Sequence, residues 1–82
     1  MQPKELKYED LTVKEMTIGE FIPLVEMMND EPMKAQMEML TKCVYAADGA
    51  LLGEGVKKLP ASCYMGLWQV VKEVHGMNEK KD

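Results

Sequence analysis

The stretch Leu59–Gly76, LPASCYMGLWQVVKEVHG, constrains this chain more than any other. Within it Cys63, Leu67, Val70, Val71 and Val74 fall at i, i+4, i+7, i+8 and i+11, the spacing that stacks side chains on one helical face. Pro60 supplies a start, and Gly76 can take the left-handed conformation that ends a helix. Lys72 and Glu73 lie off the stripe. The pattern predicts a helix over 60–75, and any core must be built against it. Trp68, the chain's single Trp, is expected to be buried between this helix and a second one.

Two further helices are legible upstream. In Met16-Thr-Ile-Gly-Glu-Phe21, Thr17 and Glu20 have the spacing of a capping box, with Met16 and Phe21 placed as a hydrophobic staple. The helix that follows, over 18–28, contains Pro23, which removes a donor and crowds the carbonyl of Gly19. Either it kinks there, the favoured reading, or a single turn precedes a shorter helix. Ile18, Ile22, Val25 and Met28 are its expected buried face. Asn29-Asp30-Glu31-Pro32 breaks the chain and restarts it, and a helix over 32–47 follows. Met33, Met37, Leu40, Val44 and Ala47 form its stripe, widened by Met39, Cys43 and Ala46. Lys34, Glu38 and Lys42 line the other side, and Asp48-Gly49 closes it.

The remainder is weaker. Residues 1–10 read as a flexible terminus or a weak strand, and Leu11-Thr-Val13 as a short edge strand. Ala50–Gly55 reads as a loop whose leucines fold back onto the core, and 56–59 as one helical turn. The tail 77–82 reads as disordered. The expected fold is therefore mainly α, a three- to four-helix domain over 11–76 with room for a short N-terminal strand.

With 82 residues, the chain holds one domain at most, and a core of that size rarely supplies more than about 3–5 kcal/mol. Self-association or a bound partner is an open route to more. The net charge of −4 is uneven: residues 1–32 carry three Lys against eight acids, residues 33–82 seven Lys against six. There is no Arg, which argues against a nucleic-acid partner. No charged-then-apolar leader and no long apolar run is visible, so no membrane role is expected.

Chemistry is hard to find. His75, the only His, has no nucleophile motif near it and reads as a favourable charge at a helix C-terminus. Cys43, Cys63 and His75 lack the spacing of a zinc site, so the cysteines read as reduced core thiols and neither metal nor cofactor is expected. An enzyme is the remotest reading. The methionines say more. Met27, Met28, Met33, Met37 and Met39 are core filler in the plain reading, and a partly exposed, Met-lined binding face in the sharper one.

Taken in order, the L-T-V-K-E-M-T-I-G-E opening, the acids at Asn29-Asp30-Glu31, the A-A-D-G turn at 46–49 and the K-K-L-P step into the last helix resemble the tail assembly chaperones of long-tailed bacteriophages. Pro23 departs from that pattern. The resemblance spans roughly four-fifths of the chain and implies a non-catalytic protein of the host cytoplasm, absent from the finished virion. It implies binding to the tape measure protein and recruitment of tail tube subunits, plus a longer frameshifted form. Glu79-Lys80-Lys81 would suit a slippery coding sequence for that frameshift. The alternative is a small regulatory or inhibitory adaptor that blocks one folded target.

Overall fold

A computed structural model describes residues 4–77. Two strands come first, β1 (Glu5–Tyr8) and β2 (Leu11–Lys14), followed by α1 (Ile18–Met27), α2 (Pro32–Cys43), β3 (Val44–Tyr45), a 3-10 helix (Gly53–Lys58) and α3 (Cys63–Val74). The strands make an antiparallel sheet in the order β1-β2-β3. The domain is thus α+β, and the expectation of a mainly α fold is overturned by that sheet.

Two features, one local and one long-range, explain the sheet. Leu6 pairs with Val13 and Tyr8 with Leu11, so Glu9-Asp10 is a two-residue hairpin turn, with Glu9 left-handed at φ 54. Such turns normally signal themselves with Asn-Gly or Asp-Gly, and Glu-Asp gives no such warning. The expected helix over 32–47 stops at Cys43, because Val44 and Tyr45 turn extended and pair with Val13 and Thr12. Both residue types favour strands, and β2 offers them the ladder that a helix end lacks. The A-A-D-G segment then reverses the chain. Ala46 donates to the Ala50 carbonyl at 2.8 Å, Asp48 accepts from the Ala50 amide at 3.0 Å, and Gly49 takes a φ of 93.

α3 lies against β1, β2 and α2, while α1 packs on α2. Leu67, Val71 and Val74 are buried as their spacing predicts, joined by Val13, Met39, Leu40, Cys43 and Val44. Gly66 has a specific reason to be in mid-helix. The Tyr8 ring rests where its Cβ would be, so β1 approaches α3 more closely than any other residue would permit. Trp68 is partly buried and packs against this cluster.

α1 is continuous through Pro23, and its capping box forms as read. Thr17 Oγ1 accepts from the Glu20 amide at 3.3 Å, and Glu20 Oε1 accepts from the Thr17 amide at 3.3 Å. The face it buries is not the expected one. Leu24 is in the core with Phe21, Met27 and Met28 partly buried against it, whereas Ile18, Ile22 and Val25 are exposed. Of the two loop leucines, Leu52 folds back onto the core and Leu51 stays half-exposed beside Tyr45. The tail beyond Met77, with the Glu79-Lys80-Lys81 run, lies outside the described residues, as do residues 1–3.

Candidate functional site

Between α2, the 3-10 helix and the start of α3 lies an open cleft of about 390 Å³. Met33, Met37 and Leu40 line it from α2, Val56 and Lys57 from the 3-10 helix, and Cys63, Tyr64 and Leu67 from α3. Leu59, Pro60 and Ala61 complete the wall between. Each segment arrives there for a local reason. Pro32 starts α2 at its first helical position, which fixes where Met33 and Met37 emerge. Pro60 prevents the 3-10 helix from running on into α3, and the extended backbone at Leu59 makes the step between them.

The lining is almost wholly apolar. Its polar groups are partnered: Tyr64 Oη donates to Gln36 Oε1 across the helices, and Lys57 pairs with Glu54 at 2.7 Å, which raises the lysine's pKa. Nothing in it resembles a reaction centre. Cys63 is a partly buried free thiol with no imidazole beside it, because the only His is committed elsewhere. Among the described residues no group of three His, Cys, Asp or Glu could hold a metal ion. A second, polar cleft near β2 and α1 is bordered by Glu15, Glu20, Glu38 and Lys42, and its Glu20 carboxylate is already used in the capping box.

The five methionines expected to form one binding face are divided. Met33 is 65% exposed and Met37 is partly exposed, and both line the cleft. Met39 is fully buried in the core, so the plain reading holds for it. Met27 and Met28 pack partly buried against the core from α1, away from the cleft. Leu59, Pro60 and Tyr64 were missed as cleft residues. The signal was available in the Leu-Pro step, which forces an opening between two helical segments.

His75 also departs from its reading. Its Nε2 accepts from the Met16 amide at 2.9 Å, which requires that nitrogen to carry no proton. Its Nδ1 then donates to the Val71 carbonyl at 2.8 Å, and the ring stacks on Phe21 with centroids 5.0 Å apart. A charge at the helix end is therefore replaced by a neutral tie, spanning 59 residues, between α3 and the entry to α1. Cys43, on the inner side of α2, has its thiol pushed up to about 12 by burial, with the nearby Glu20 adding to the shift. It is inert as a nucleophile.

The structure is a small α+β domain with an open, largely apolar cleft between α2, the 3-10 helix and α3. Comparison with family models, with curated proteins and with solved structures finds no match. Among the described residues no helix is long and apolar enough to cross a membrane.

Proposed function

We propose that this chain is a non-catalytic assembly chaperone of the phage-tail kind, which seats an apolar helical segment of the tape measure protein in the α2–α3 cleft and brings tail tube subunits to it. The observation that carries the reading is the cleft itself, an apolar opening that the domain does not fill, with Met33 and Met37 on its lip. Flexible, polarisable methionines let one surface follow many side-chain shapes, which suits a long client with a varied sequence. The order of sequence features shared with tail assembly chaperones supplies the identity of the client. Partnered polar groups along the lining suit holding and releasing a chain more than altering it.

Co-expression with a tape measure protein of a long-tailed phage tests the reading. Met33→Glu and Met37→Glu should each reduce co-purification at unchanged helix content. Met39→Glu should instead unfold the domain, because that side chain has no access to solvent. Retention of the tape measure protein by both cleft variants would overturn the proposal. Selective capture of a toxin or regulator instead would favour the adaptor reading.

A further inference from the structure

We infer that the outer face of α1 is a separate docking surface whose partner is a cationic amphipathic helix. Ile18, Ile22 and Val25 stand at i, i+4 and i+7 and are 80%, 47% and 36% exposed. The helix is already anchored by its other side, through Phe21, Leu24 and Met28. Its start is capped, and Phe21 is stacked on His75. The three aliphatic side chains are thus a fixed ridge that the described residues leave open to solvent, most fully at Ile18. An incoming helix could engage them by the spacing used in helix-to-helix recognition.

Charge decides what that helix carries. Glu26 continues the row of Ile18 and Ile22 at the same four-residue interval, and Asp30 follows in the turn just beyond the helix. Both are exposed, and among the described residues neither has an ion-pair partner, whereas Glu31 is paired with Lys34 at 3.6 Å. Between Ile18 and Glu31 there is no Lys and no Arg. A helix bearing an apolar stripe edged by Lys or Arg satisfies the ridge and the carboxylates together. A second copy of this chain brings no Lys or Arg on the same segment, so it would cover the ridge and leave the carboxylates without a partner. No residue of α1 lines the α2–α3 cleft, so this surface stands or falls independently of the tape-measure reading.

Two synthetic helical peptides with one leucine stripe, edged by Lys in one and by Glu in the other, test it by nuclear magnetic resonance titration of the folded chain. The Lys-edged peptide should bind, shift the amides of 18–30 and weaken as salt is raised. Ile22→Glu should lower its affinity by at least about tenfold. The double variant Glu26→Lys, Asp30→Lys should transfer the preference to the Glu-edged peptide. All three substituted positions are exposed, and circular dichroism checks that the fold is kept. Equal affinity for the two peptides, shifts confined to the cleft, or no binding would each overturn the inference. So would a concentration-dependent dimer abolished by Ile22→Glu, which would give the ridge to a second copy.

Discussion

α1 and α3 are both short helices, of 10 and 12 residues, each with an apolar stripe at helical spacing. α3 turns its stripe inward, burying Leu67, Val71 and Val74. α1 leaves Ile18, Ile22 and Val25 in water and buries Leu24, with Phe21 and Met28 beside it. The difference is set by backbone as well as by side chains. Pro23 cannot donate to the carbonyl of Gly19, and a carbonyl without its helical partner needs water. Both residues are exposed, so the side of α1 that carries them faces out and takes the neighbouring Ile22 with it. Phe21, stacked on His75, holds the other side in. α3 has no such defect, and its one unusual residue, Gly66, faces inward to admit Tyr8.

Substitutions at matched positions should show the contrast at full size. Leu67→Ala should cost about 3 kcal/mol in urea denaturation, as buried Leu truncations do. That is comparable with the whole stability expected of so small a core. A cost below about 1 kcal/mol would mean that α3 does not form the centre of the core.

The inner side of α2 should report itself through pH. The buried Cys43 keeps its proton up to about 12, against 9.0 for an ordinary thiol. Between those values the folded chain holds a proton that the unfolded chain has lost. Its contribution to stability is therefore intact below the lower value and lost as pH rises toward the upper, by about 1.4 kcal/mol per pH unit. Cys43→Ala should be less sensitive to pH than the parent by that slope. Parallel curves for the two proteins would place the thiol in water. Cys63, on the cleft wall, should react with a thiol reagent in the folded state while Cys43 does not.

The tie between the two helices should be worth less. His75→Ala leaves the Met16 amide without its acceptor and should cost about 1–2 kcal/mol. His75→Lys distinguishes the two accounts of this residue. A charge serving only the helix end would be preserved by Lys, whereas a neutral acceptor would not, so His75→Lys should be as damaging as His75→Ala.

Gly66→Ala should show a change of sign. Replacing a mid-helix Gly normally gains about 1 kcal/mol. Here the new methyl would displace the Tyr8 ring, so the gain should vanish or reverse in the parent and return in a Tyr8→Ala background. The same gain in both backgrounds would mean that β1 does not rest on α3. Smallest of all, Ile18→Ser should alter stability by no more than about 0.5 kcal/mol, as exposed positions do.

The same physical division decides what could be read from the sequence. The capping box at Thr17, the Pro32 start and the α3 stripe are local, and they stand in the structure where their spacing puts them, whereas Pro60 lies three residues ahead of α3, which begins at Cys63 and not at 60. β3 is not local: Val44 and Tyr45 leave the helix only because Val13 and Thr12, about thirty residues earlier in the chain, offer a ladder. The face of α1 was misread because that helix is apolar nearly all round, so period alone could not choose between the Ile18–Ile22–Val25 and Phe21–Leu24–Met28 rows. Pro23 held the answer, since its face must stay wet. Of the candidate site, Met33 and Met37 stand on the stripe that the period marks and line the cleft, but nothing local separates them from Met39, which lies two positions round the helix from Met37, toward the core.

The most direct measurement is a thermal melt of two charge insertions, Ile22→Glu in α1 and Val71→Glu in α3, followed by far-ultraviolet circular dichroism. If the apolar row of α1 is surface and that of α3 is core, Ile22→Glu melts within a few degrees of the parent while Val71→Glu shows no cooperative transition. Loss of the transition in Ile22→Glu would mean that α1 is turned the other way, and that its Ile18–Ile22–Val25 row supports the fold instead of standing free for a partner.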